Sequence, residues 1–346
     1  MRDLVYHLPL MFSTGQVEHT PLTTGFKTVK TFSSREGTVE LVKSRGEGKL
    51  RIIKSVRHEN PRKPPHEAYM LSRLGRQHDN IVRLYAAELS STGHGLMCFE
   101  YCNGGNIYDQ CNKFDAMNMP VPILLALHIW VSMADALAFL HHGLKHVHGS
   151  TYRKVCDGPS MVHSDIKDDN IYLRFDSSSK SRAGPRSFVE WAAGASHALR
   201  KGKEDALPQI VLADFGMSVD AGEPFRGGCD AFLSPECKFR KGRRMNHKSD
   251  IYSMGVLMKS ILDRESKYLW PILTDPKKAA IHIAYKGLGM TEVLRSMLAV
   301  NPAERGDFSG TKGCGLLFQI SKFRKERDRL IDAGARINPN HWVSKP

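Results

Sequence analysis

The sequence predicts an α+β fold in two compact units, one rich in strands and one mainly helical. At 346 residues the chain has room for two hydrophobic cores, and a hydrophobic content of 41% is enough to fill them. Short apolar runs at Leu50-Arg51-Ile52-Ile53-Lys54 and Leu96-Met97-Cys98-Phe99 read as strands, the second running into the Gly104-Gly105 turn. From Glu67 onward the spacing changes. Met70, Leu71 and Leu74 recur at intervals of three and four, which is helical, and a further helix ends at Ala138-Phe139-Leu140-His141.

The residues able to do chemistry concentrate in His163-Ser164-Asp165-Ile166-Lys167-Asp168-Asp169-Asn170 and in Asp214-Phe215-Gly216. They offer a base, a phosphate-neutralising Lys and oxygen donors for a hard cation such as Mg²⁺. Strand-like Ile171-Tyr172-Leu173 follows the first group, and Ile210-Val211-Leu212-Ala213 precedes the second. An isolated Asp is usually a turn former or a helix cap. Several polar residues at these spacings reverse that expectation, because H-x-D-x-x-x-x-N followed by D-F-G resembles the catalytic core of eukaryotic protein kinases.

Further segments follow in that family's order. Phe232-Leu233-Ser234-Pro235-Glu236 is similar to its A-P-E box, Ser249-Asp250-Ile251-Tyr252-Ser253-Met254-Gly255 to its long buried helix, and Asn301-Pro302-Ala303-Glu304-Arg305 to its late Arg segment. The resemblance implies a bilobal α+β fold, with a small antiparallel sheet lobe carrying one helix and a larger helical lobe. It places an extension at 1–24, the kinase-like domain at 25–331 and a tail at 332–346. Within the domain the small lobe covers about 25–99, the hinge 100–105 and the large lobe 106–331, with insertions near 145–160 and 176–208. Phe188, Trp191, Ala192, Ala195 and Leu199 give the second insertion a helical periodicity.

By resemblance, Asp165 accepts or orients the proton of an incoming hydroxyl, and Lys167 neutralises the transferred phosphate, as in serine/threonine-directed members. Lys54 binds nucleotide phosphates and is held by Glu67. Asn170 and Asp214 bind Mg²⁺, and ATP is the second cofactor. Gly37, Val39, Ile52, Phe99, Glu100, Cys102, Asn106 and Tyr172 surround the nucleotide: Phe99 guards the back of the adenine pocket, the backbones of Glu100 and Cys102 bond the adenine edge, and Asn106 reaches the ribose. Glu236 and Arg305 form a buried salt bridge. His163 and Phe215 are packing residues.

Four departures stand out. The phosphate-covering loop, Phe32-Ser33-Ser34-Arg35-Glu36-Gly37-Thr38-Val39, keeps only the last glycine of the family pattern. Ile52 and Tyr172 are bulkier than the family's usual residues, and overfilling a packed site costs about 1–3 kcal/mol. Ser164 replaces the Arg that meets a phosphate on the activation segment, and residues 214–236 hold no Thr or Tyr, only Ser218 and Ser234. Activation by phosphorylation of that segment is therefore not expected. Cys229 stands where the family has a Thr bonded to the catalytic Asp and Lys, which predicts a weaker link there.

The net charge of +14 points to anionic partners. Its Lys and Arg are scattered with no aromatic-interleaved basic motif, which argues against nucleic acid. The basic run Lys238-Phe239-Arg240-Lys241-Gly242-Arg243-Arg244 suggests protein substrates that are acidic or already phosphorylated. No apolar run is expected to span a membrane. Seven Cys without a C-x-x-C pair suit a reducing compartment, cytoplasmic or nuclear. Nothing in the sequence points to an oligomeric state. The implied function is ATP-dependent phosphorylation of Ser/Thr hydroxyls in proteins. The alternative is a pseudokinase that binds or scaffolds, and a small-molecule kinase is disfavoured by the A-P-E-like box.

Overall fold

The computed structural model describes residues 22, 24–33, 37–57, 63–74, 78–89, 93–157, 160–175, 207–239, 244–263, 285, 287–309, 315–337 and 341–342. Most of the expected N-terminal extension and of the 176–208 insertion, including its periodic segment, lies outside the described residues. The chain divides into two compact units, Met1–Tyr101 and Cys102–Pro346.

The smaller unit is an antiparallel sheet of five strands in the order β1-β2-β3-β5-β4. These are β1 (Phe26–Ser33), β2 (Gly37–Ser44), β3 (Leu50–Arg57), β4 (Leu84–Leu89) and β5 (His94–Glu100), with helix α1 (His66–Ser72) between β3 and β4. Side chains alternate across a strand, and cross-strand partners share a face. One face carries Val42, Ile53 and Cys98, which bury together with Leu22. Register then fixes the other face: Val39 opposes Lys54, Leu41 opposes Ile52, and Ile52 and Lys54 oppose Phe99 and Met97.

The larger unit is organised on α3 (Ile123–His142), whose residues are apolar nearly all round and almost entirely buried. Around it lie α2 (Ile107–Ala116), α4 (Pro235–Phe239), α5 (His247–Leu262), α6 (Met290–Met297) and α7 (Leu316–Asp332). Gly143 ends α3 in the left-handed conformation, at φ 66°, which glycine adopts without strain. At 20 residues and mean hydropathy 2.0, α3 is long and apolar enough to cross a membrane, which amends the sequence expectation. Since 83% of its most apolar window is buried in the unit, it serves as the core helix.

Three two-stranded antiparallel sheets also belong to this unit among the described residues. Strands β6 (Leu144–His148) and β7 (Thr151–Lys154) pair where the sequence predicts an insertion near 145–160. Tyr152 on β7 donates its hydroxyl to Asp135 of α3 at 2.6 Å, and Arg324 of α7 reaches the same carboxylate at 2.7 and 2.9 Å. Strands β8 (Met161–Val162) and β11 (Val219–Asp220) pair, as do β9 (Ile171–Arg174) and β10 (Gln209–Leu212). The loops after β8 and β10 carry the two chemistry-bearing motifs.

Candidate active site

In the smaller unit, β3 and α1 meet through one ion pair: Lys54 Nζ donates to Glu67 Oε2 at 2.9 Å, with Glu67 buried. Gly37, Val39, Ile52, Lys54 and Phe99 share the sheet face opposite the Ile53 core. Gly37 has a steric reason to be glycine, because a Cβ there would lie 1.9 Å from the Ser55 carbonyl oxygen. Glu100 instead belongs to the other face, where its Oε1 accepts the Arg83 N–H at 2.9 Å. Its own N–H donates to the Arg83 carbonyl at 3.0 Å, so that N–H is already engaged within the sheet.

In the larger unit, Asp165 is the centre of a preformed network. Its Oδ2 accepts from Lys167 Nζ at 2.8 Å and Asn170 Nδ2 at 2.9 Å, and its Oδ1 accepts the Cys229 N–H at 2.8 Å. Asn170 also donates Nδ2 to the Asp165 carbonyl, which commits the amide nitrogen to the loop. Burial is the largest influence on Lys167 and disfavours its charge, but the bond to Asp165 and the nearby charges of Asp165 and Asp214 together raise its pKa. Asp214 itself takes a left-handed conformation at φ 65°. Hard oxygen donors on Asn170 and Asp214 thus fit Mg²⁺.

His163 is fully buried, with its ring packed edge-on to Phe215 at 4.8 Å. Desolvation lowers its pKa despite the carboxylates of Asp250, Asp165 and Asp214, so it is neutral, with Nε2 on the Ala213 carbonyl and Nδ1 accepting the Asp165 N–H. Tyr172 lies on β9 and forms a bridge with Asn106. The Asn106 side chain accepts the Asp109 N–H on Oδ1 at 2.9 Å and caps α2. Cys102 is buried at the start of the unit, its carbonyl accepting the Gly105 N–H.

Further along, Arg305 grips Glu236 through two parallel bonds of 2.6 and 2.7 Å, both residues being buried. The family model described as protein kinase domain matches residues 34–305, which spans all of these elements. The chain belongs to the protein kinase domain family.

The kinase domain is similar to "Mitogen-activated protein kinase kinase kinase mlk-1" of Caenorhabditis elegans, at 28% identity over 63% of this chain and 18% of that protein. It is also similar to "LRR receptor-like serine/threonine-protein kinase ERL1" of Arabidopsis thaliana, at 26% identity over 54% of this chain and 15% of the relative. The chain therefore spans less than a fifth of the length of either relative. Among solved structures, the Cydia pomonella granulovirus kinase PK-1 superposes with a TM-score of 0.57 at 18% identity, covering 86% of this chain and 93% of that one. That likeness establishes the fold, a bilobal α+β kinase fold.

Two features of the kinase domain were not apparent in its sequence. Asp250 on α5 accepts the backbone N–H groups of His163 at 2.7 Å and Ser164 at 3.0 Å, and so clamps the loop that presents Asp165. Ser164 is held there at φ 69°, a conformation that costs a non-glycine residue about 1–3 kcal/mol unless the surroundings impose it. The second is the Asp135–Tyr152–Arg324 cluster, which fastens the β6–β7 hairpin to α3 and α7. A lone Asp inside an apolar helix was the only available signal for either.

Proposed function

We propose that this kinase domain is catalytically active, transferring the γ-phosphoryl group of ATP to Ser or Thr hydroxyls of proteins. One observation carries the reading: the Asp165 carboxylate is already oriented by Lys167, Asn170 and Cys229. Phosphoryl transfer depends on positioning and charge neutralisation rather than on covalent participation by the protein. Asp165 would receive or orient the hydroxyl proton, and Lys167 would offset charge on the transferred group. Asn170 and Asp214 would hold Mg²⁺, which when bound supplies neutralisation of the phosphate oxygens. Lys54, kept in place by Glu67, would hold the nucleotide phosphates, with Val39, Ile52 and Phe99 on the same sheet face toward the base.

Preference for Ser/Thr is supported by Lys167 standing two residues after Asp165 and bonded to it. Acidic or phosphorylated protein substrates and a cytoplasmic or nuclear setting belong to the same proposal. Of the basic run, residues 240–243 lie outside the described residues, and Arg244 donates to the Gly222 carbonyl at 2.7 Å.

The alternative, a pseudokinase that acts by binding, is favoured by the loss of the loop glycines ahead of Gly37 and by the bulk of Ile52 and Tyr172. Transfer from radiolabelled ATP separates the two readings. An active enzyme loses roughly 10²–10⁴-fold in turnover in Asp165→Asn and roughly 10²-fold or more in Lys54→Met. Absence of Mg²⁺-dependent ATP stabilisation of the wild type in a thermal shift experiment supports the binding module instead.

A further inference from the structure

The junction of α3 and α5 gathers three histidines that the phosphoryl-transfer residues do not use. His141 and His142 close α3, and His247 opens α5. Ligand-capable atoms from the three lie within 4.8 Å of one another. The rings of His141 and His247 stack at 4.4 Å, and His142 meets them edge-on at 6.0 and 5.0 Å.

Protonation can be assigned from the neighbours. Asp250 accepts the His163 N–H on Oδ2 and the Ser164 N–H on Oδ1, so both oxygens of its carboxylate act as acceptors. His141 Nε2, 3.0 Å away, donates to it, so in the neutral ring the lone pair lies on Nδ1. That nitrogen, on a residue only 2% exposed, has no hydrogen-bond partner, and neither does the buried Nε2 of His142. Two adjacent ring nitrogens buried without partners are costly to maintain unless something else satisfies them. A ligating His backed by a carboxylate on its other nitrogen is the usual arrangement at zinc centres.

We propose that His141, His142 and His247 form a binding site for a divalent transition metal, Zn²⁺ by the chemistry of its three imidazole donors, with solvent as fourth ligand. Tetrahedral coordination at about 2.0–2.1 Å requires the donors to draw closer than 4.8 Å. His142 and His247 are half-buried. Ser160 Oγ, 3.2 Å from His247 Nε2, tolerates either tautomer because a hydroxyl both donates and accepts. Bound metal would pin the end of α3 to the start of α5 and, through Asp250, brace the His163-Ser164 backbone. Mg²⁺ does not compete, since it prefers oxygen donors.

The test uses the full chain, stripped with a chelator, exchanged into Mg²⁺ buffer and titrated with ZnCl₂ against a chromophoric chelator. One equivalent of Zn²⁺ is expected, with a rise in melting temperature. His142→Gln and His247→Gln each weaken binding at least about tenfold while the metal-free melting temperature stays unchanged or rises, which separates ligand loss from misfolding. Co²⁺ in place of Zn²⁺ should give a tetrahedral spectrum without thiolate charge transfer, distinguishing this site from the free cysteines. Sub-stoichiometric uptake, uptake indifferent to both substitutions, or a thiolate spectrum overturns the proposal.

Discussion

Cys229 donates its backbone N–H to Asp165 Oδ1 at 2.8 Å. The sequence suggested a weakened link here, because a Cys side chain is a poor substitute for the hydroxyl of Thr. The main chain supplies the bond instead. Gly228 permits the close approach, since a Cβ there would sit 2.5 Å from the Ser164 carbonyl oxygen.

Because the bond is made by the main chain, Cys229→Ala should leave stability within about 0.5 kcal/mol of wild type and phosphoryl transfer little changed. Gly228→Ala should impair both. Urea unfolding and the radiolabel assay on the two variants check the contrast, and loss of transfer in Cys229→Ala alone would assign the work to the thiol.

Glu236→Gln leaves the Arg305 guanidinium buried beside a neutral partner and is expected to destabilise by about 3–5 kcal/mol, read as a shift in the denaturation midpoint. The pair also sets an acid limit. Burial would raise the Glu236 carboxyl, but the Arg305 bond and charge hold it below its ordinary value. An unfolded Glu, titrating near about 4.3, therefore takes up its proton first as pH falls. The stabilisation is complete above about pH 5 and lost as pH drops through the depressed folded value. Unfolding curves of wild type should show this loss, and Glu236→Gln should flatten it.

Ser218 and Ser234, the two hydroxyl-bearing residues between Asp214 and Glu236, are both buried, at 0% and 1% exposure. Phosphatase treatment of the purified protein should therefore leave transfer unchanged, and mass spectrometry should find neither serine modified. Activation accompanied by a phosphate on either one would contradict this.

Gly37→Ala places a methyl group against the Ser55 carbonyl in the β2–β3 ladder. Strain and strand separation should cost about 1–3 kcal/mol, visible as faster amide exchange along β3. If the variant loses nucleotide stabilisation without losing fold stability, Gly37 acts on phosphate instead of on the sheet.

Much of the architecture could be read in linear order because its signals are local. The apolar run ending at Lys54 became β3, the helical spacing after Glu67 became α1, and Ile171-Tyr172-Leu173 and Ile210-Val211-Leu212 became the paired β9 and β10. Lys54 with Glu67, Asp165 with Lys167 and Asn170, and Glu236 with Arg305 were all implied by the resemblance to the kinase family. What stayed hidden depends on distant partners. Asp250 bonds His141 from 109 positions away and Ser164 from 86, and Arg324 reaches Asp135 across 189. A polar residue in an apolar helix carries no local mark of its partner. Only the folded chain decides whether Asp250 caps, solvates or clamps, because a buried charge must find its hydrogen bonds wherever packing brings donors within reach.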